Sequence, residues 1–289
     1  MSRSFTLGAV AYAPKVVTIW EGFRAYFAQQ NFAFDYRLFS NYETQVEALF
    51  DGTIDSAWNS PLAHLRSERI ARAKNVSVGL GPMRDTDQDL TSVLVVRKQS
   101  SLQKISDLKG KTVGFGAIDS PQARLIPLDC MRAQGLVSQG DLGGDFKVRR
   151  FDVEGGKHGD HIGGERLGAE AVVSGEVDAA WMIDGNFQSF SQEGVLPSGE
   201  TRILARTEKY DHCIFTMSPE ISTEQKNKFS DILLGMKWSD RAVRPLLELE
   251  GLKEWRPGRS SGFSLLDRAV DDEKFYSKDG RILEPNYKY

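Results

Sequence analysis

Short apolar or alternating runs take turns along this chain with stretches whose apolar residues recur three and four apart. The first kind fits a strand and the second an amphipathic helix. Read this way, 6–12, 34–40, 53–58, 75–81 and 92–97 are strands, and 16–30, 42–52 and 60–73 are helices. A second unit follows, with strands at 111–116, 145–151 and 176–183 and helices at 119–135 and 163–175. Residues 201–207 and 212–218 return to strand, and the C-terminal part is helical. Gly52 and Gly175 close two of the helices, and Ser60-Pro61 and Ser120-Pro121 open two others as a cap followed by proline. Strand and helix in alternation predict an α/β fold.

One pattern occurs twice. DGTIDSAW at 51–58 and SGEVDAAW at 174–181 share Gly, a β-branched residue, Asp, a small residue, Ala and Trp. Each copy follows a helix and reads as a short buried strand, so each belongs to a βαβ unit. Two such units predict two lobes with a cleft between them. In open α/β sheets ligands meet the carboxyl ends of strands, which places Trp58, Asn59, Ser60, 116–122 and 181–184 at that cleft.

The composition removes several classes of function. With 37 basic and 40 acidic residues the net charge is −3, which offers no broad basic face to nucleic acid. No apolar run approaches the roughly 18 residues of a membrane span, so no membrane insertion is expected. The opening MSRSFTLGAVAYAPK lacks a secretory pattern. It predicts a cytoplasmic protein as written, or a periplasmic one if a signal has been removed. Cys130 and Cys213 read as buried thiols, and His212 and His64 as structural. RDTDQD at 84–89 reads as a solvated acidic loop. Tyr12 is placed at the cleft, and Lys15 at a helix start.

Three stretches carry a resemblance: NYETQVEALFDGTIDSAWNSPLAHL, SVLVVRKQSSLQKISDLKGKTVGFGAIDSPQARLIPL and LGAEAVVSGEVDAAWMID. Together they resemble the phosphonate-type substrate-binding proteins of ABC transporters, within the type II periplasmic-binding-protein fold. The resemblance implies two lobes, each a mixed sheet flanked by helices. Lobe one would be 1–97 plus 205–289 and lobe two 98–204, with hinge crossovers near Arg97 and Ala205. It also implies a small anionic or zwitterionic ligand in the cleft, lobe closure, an ABC permease as possible partner, and no cofactor. The oligomeric state is left open between monomer and homodimer.

In that family the anionic head sits at a helix N-terminus of lobe two, where unpaired N–H groups and the helix dipole favour negative charge. The matching residues are Asp119, Ser120 and Gln122, but Pro121 removes a donor and Asp119 adds a negative charge, both unfavourable to phosphonate itself. Tyr42 matches a cleft tyrosine, Ser60 a polar position of lobe one, and Asp184 an acidic residue that meets a ligand amine.

GGKHGDHIGGER at 155–166 departs most from the family. His158, Asp160 and His161 among glycines admit three readings: a ligand clamp, placed first, a solvated loop, and a metal site of two His and one Asp. Glu165 would then be a dipole partner in a first helical turn. A second function stays open, an enzyme of lyase or decarboxylase type on the same fold, with His158 and His161 as acid-base groups.

Overall fold

A computed structural model describes residues 4–137, 144–152 and 161–289, His161 by its backbone only. The chain opens with strand β1 (Phe5–Val10), helix α1 (Lys15–Gln29), β2 (Phe34–Phe39), α2 (Tyr42–Phe50), β3 (Ser56–Asn59) and α3 (Pro61–Ala73). Two short strands follow, β4 (Gly79–Leu80) and β5 (Met83–Arg84), then β6 (Ser92–Arg97) and β7 (Thr112–Phe115). Helix α4 (Ile126–Ala133), β8 (Lys147–Arg150), α5 (His161–Ser174), β9 (Ala179–Ile183), α6 (Asp184–Gln192) and β10 (Thr201–Arg206) complete the second unit. The chain ends through β11 (Ile214–Met217), α7 (Thr223–Leu234), α8 (Arg244–Glu250), β12 (Trp255–Arg256) and α9 (Ser264–Asp272).

Two five-stranded sheets result, β2-β1-β3-β11-β4 and β8-β7-β9-β6-β10. In each, three parallel strands are followed by an antiparallel fourth. A ribbon of β5 and β12 stands apart. The first sheet packs on α1 and α7 through Trp20, Phe23, Phe27, Phe215 and Phe229. The second packs on α4 through Leu94, Phe115, Met131 and Trp181, and on α5 through Val95, Ala169 and Val172.

Arg97 and Ala205, near which the crossovers were expected, both lie in strands of the second sheet. The chain passes between the sheets at 85–91 and 207–213. These two segments pair with each other: Leu90 and Tyr210 exchange backbone hydrogen bonds of 2.8 and 2.9 Å, and the His212 N–H donates to Asp87 O at 2.8 Å.

The repeated pattern has one cause in both sheets. Asp55 accepts the Thr6 N–H at 2.8 Å, and Asp178 accepts the Thr112 N–H at 2.9 Å. Each Asp also returns its own N–H to the carbonyl of the same Thr, at 2.8 and 2.9 Å. The carboxylate therefore closes the first rung between two parallel strands. The small residues that follow set Gly8 against Ala57 and Gly114 against Ala180. A Cβ at Gly8 would lie 2.5 Å from Ile54 Cδ1, and one at Gly114 3.0 Å from the Phe151 ring.

Candidate functional site

The carboxyl ends of β1, β2, β3, β7 and β9 deliver the candidate residues among those described, but the two lobes equip their edges differently. Helix starts come first. Ser60 Oγ accepts the Ala63 N–H at 3.3 Å, and Ser120 Oγ accepts the Ala123 N–H at 3.1 Å. Pro61 and Pro121 hold the next position and bring no N–H. Ser-Pro-x-Ala is thus used the same way twice, and each serine hydroxyl serves its own helix. At Ser120 the chain makes one wide turn, 121–125, closed by Leu125 N–H to Ser120 O at 3.0 Å, before α4.

The lobe-one edge carries a cluster that the sequence reading assigned to a solvated loop. Arg84 and Asp87 are not a surface pair. Arg84 Nε donates to Asp87 Oδ2 at 2.6 Å and Nη2 to Oδ1 at 3.1 Å, while Nη1 donates to Glu250 O at 3.0 Å. The guanidinium also covers the Trp58 ring at 5.3 Å. Burial disfavours the Asp87 charge, but Arg84 and His212 outweigh it and hold the carboxyl down to about 2. Glu250 goes the other way. Burial pushes it up to about 7, with Arg84 opposing and Asp87 adding to the rise. One guanidinium thus fully supports one of its two buried carboxylates.

His212 and Cys213 close the cluster. Both keep exposed surface. His212 Nδ1 lies 3.1 Å from Cys213 Sγ and 3.6 Å from Asp87 Oδ1. Its Nε2 lies 3.4 Å from Oε1 of Gln122, which belongs to the other lobe. Burial, with Asp87 adding to it, pushes the Cys213 thiol well above its ordinary value, so sulfur is protonated. Tyr12 and Tyr42 complete this wall. Burial raises the Tyr12 hydroxyl to about 12, and Tyr42 rises well above its usual range, burial again leading.

Across the cleft, Gln122 is held by its backbone. Ser92 Oγ donates to Gln122 O at 2.5 Å and therefore accepts from the Tyr210 hydroxyl at 2.7 Å. Asp119 is buried and acts on Tyr42, Tyr276 and Tyr287; the Tyr287 hydroxyl donates to Glu43 at 2.6 Å.

Other expected site residues are placed elsewhere. Asn59 is 0% exposed, and its amide is spent inside lobe one: it donates to Thr216 Oγ1 at 2.9 Å and accepts from Gln45 at 2.8 Å. Trp58 borders the cleft only through Arg84, being packed on Phe215 and Trp255. Asp184 opens α6 and pairs with Arg206 at 2.7 Å. Glu165 accepts from the Ile183 N–H at 2.9 Å and from the Asn186 amide at 2.8 Å, fixing the β9–α6 junction. His158, Asp160 and the His161 side chain lie outside the described residues; the His161 backbone opens α5. The structure thus brings Tyr12, Tyr42 and Gln122 together with Arg84, Asp87, His212, Cys213 and Glu250. The adjacent His-Cys pair, at the end of the return crossover, was the legible signal for the part missed.

The family model for "ABC transporter, phosphonate, periplasmic substrate-binding protein" matches residues 7–262. Solved structures share the fold at low identity. PhnD1 of Prochlorococcus marinus in complex with methylphosphonate superposes with a TM-score of 0.67 at 16% identity, over 94% of this chain and 98% of that one. XAC2383 of Xanthomonas citri bound to ATP gives 0.71 at 14%, over 94% and 98%. The aliphatic sulphonate binding protein SsuA of Escherichia coli gives 0.54 at 15%, over 94% and 84%.

Proposed function

Since the chain belongs to the phosphonate-type periplasmic substrate-binding protein family of ABC transporters, we propose that it is the solute-binding partner of an ABC permease, closing on a small anionic or zwitterionic molecule. The observation that carries this reading is the cleft wall itself: Tyr12, Tyr42 and His212 of one lobe facing Gln122 of the other, beside two crossing segments that can act as a hinge. Methylphosphonate and sulphonate binding by fold relatives supports the class of ligand.

Phosphonate itself fits less well. Pro121 has no N–H, the Ala123 N–H is taken by Ser120 Oγ, and Asp119 puts a carboxyl beside the same turn. A singly charged or zwitterionic head, held by tyrosine, glutamine and histidine hydrogen bonds, suits this edge better than a dianion. The alternative of an enzyme rested on the His158/His161 loop. Among the described residues, the Cys-His-Asp group of Asp87, His212 and Cys213 holds a thiol that burial keeps protonated, which is a poor nucleophile. The family's periplasmic description supports export of the chain over a cytoplasmic place.

Calorimetry with methylphosphonate, an alkanesulfonate and an amino-acid zwitterion tests the proposal. One of them should bind one to one, with compaction in small-angle scattering, and Gln122→Ala and Tyr42→Phe should each weaken binding roughly tenfold, the worth of about one hydrogen bond. His161→Ala should weaken it by about as much if the glycine-rich loop is a clamp. No binding by any of them, together with no small molecule released on denaturing the purified protein, would overturn the reading.

A further inference from the structure

We propose that Asp87, His212 and Cys213 form a binding site for one soft divalent cation, of the zinc type, on the lobe-one wall of the cleft. Asp87 Oδ1, His212 Nδ1 and Cys213 Sγ lie within 4.8 Å of one another and offer oxygen, nitrogen and sulfur. In a tetrahedral zinc site with Zn–S near 2.3 Å and Zn–N or Zn–O near 2.0–2.2 Å, such atoms stand about 3.4–3.6 Å apart. The Nδ1–Oδ1 distance here is 3.6 Å and the Nδ1–Sγ distance 3.1 Å, so the second must open by a few tenths of an ångström, while the carboxylate and the sulfur lie within 4.8 Å of each other and close on the ion.

The outer partners suit ligation. His212 Nε2 lies 3.4 Å from Gln122 Oε1, and in the tautomer that donates Nε2–H to it, Nδ1 carries no proton and is open to a metal in place of its contacts with Asp87 and the sulfur. A hydrogen bond that fixes the tautomer of a metal-binding imidazole is the usual second layer of such sites. Arg84 bonds both Asp87 oxygens and orients the carboxylate; Oδ1, where its bond is the longer one, is the oxygen that lies 3.6 Å from His212 Nδ1. On binding, the metal replaces the proton on sulfur, and the proton leaves to solvent. The three donors come from the two crossing segments, Asp87 from the first and His212 with Cys213 from the second. A cation here would therefore clip the crossovers together, and Gln122 would report it to lobe two. The histidines at 158 and 161 take no part.

The test is titration of the full chain, freed of metal, with Zn²⁺ and with Co²⁺ alone. One equivalent should bind, and the cobalt form should show a thiolate-to-metal charge-transfer band. Cys213→Ser should abolish the band, His212→Gln should cut Zn²⁺ affinity at least tenfold, and Gln122→Ala should cut it about tenfold as an outer partner. A circular dichroism spectrum and melt for each variant separates lost binding from lost folding. No band with the wild type, or Zn²⁺ affinity unchanged in Cys213→Ser and His212→Gln, would overturn the proposal. Because His212 and Gln122 also face the cleft, ligand binding is measured separately on metal-free protein, and Cys213→Ser, outside the ligand wall, tells the two proposals apart.

Discussion

Thr6-Leu7-Gly8 and Thr112-Val113-Gly114 occupy equivalent places in the two lobes, and so do Asp55 and Asp178, Ala57 and Ala180, and the Ser-Pro-x-Ala helix starts. The scaffolds match rung for rung, yet the edges they present do not. Trp58 ends its strand beside Arg84 and the buried carboxylates Asp87 and Glu250. Trp181, 1% exposed, lies at the middle of β9 in the core, its indole N–H directed to Met131 Sδ at 3.4 Å. What makes the difference is the segment that comes back to each sheet. Lobe one receives α8 and β12 with Glu250 and Trp255, and the return crossover with His212 and Cys213. Lobe two receives α6, whose first residue is neutralised by Arg206. A shared backbone plan leaves chemistry to the additions.

The largest test of that asymmetry removes Arg84. Arg84→Ala strands Asp87 and Glu250 in the interior, and breaking a buried pair costs about 3–5 kcal/mol. Urea denaturation should show this loss, and a loss under 1 kcal/mol (a roughly surface-like value) would mean that the cluster is solvated. By contrast Arg206→Ala, at the matching edge of lobe two, breaks a half-exposed pair and should cost about 0–1 kcal/mol.

Glu250 supplies the next effect. Its carboxyl rises from an ordinary 4.5 to about 7 in the fold. A group with its folded value raised favours the fold while protonated, so this contribution is complete below about pH 4.5 and is lost as pH climbs through about 7. Stability should fall by up to about 3 kcal/mol over that window from this group alone. Glu250→Gln should flatten the profile and raise the melting temperature at pH 8; an unchanged profile would place the negative charge elsewhere.

The symmetric half of the comparison predicts equality. Asp55→Ala and Asp178→Ala each leave a strand N–H without its acceptor, at about 1–3 kcal/mol. Chemical denaturation should give similar costs, and a clear inequality would break the equivalence of the two copies. The smallest effect belongs to packing. Gly114→Ala, whose Cβ would sit 3.0 Å from Phe151, should cost about 1 kcal/mol, and Gly8→Ala, at 2.5 Å from Ile54, somewhat more.

Much of the scaffold was legible because its causes are local. A helix closed by Gly52 or Gly175 at positive φ, a Ser-Pro cap, and an Asp that answers a neighbouring strand all act within a few residues or along one rung. Asp184 and Asn59 show the limit. Nothing near Asp184 in sequence announces Arg206, 22 residues on, and nothing near Asn59 announces Thr216, which turns its amide inward. The loop RDTDQD reads as solvated for the same reason. Its first residue is half-buried and its fourth buried, against Glu250, Trp255 and His212, all more than 120 residues away.

By itself, then, the amino-acid order determined two copies of one α/β unit, their helix caps and their facing strand ends, since each depends on periodicity and on short-range hydrogen bonds. Only the tertiary structure decided which strand end became chemistry. Burial and charge pairing depend on what the returning chain lays against an edge, and that is a property of distance in space.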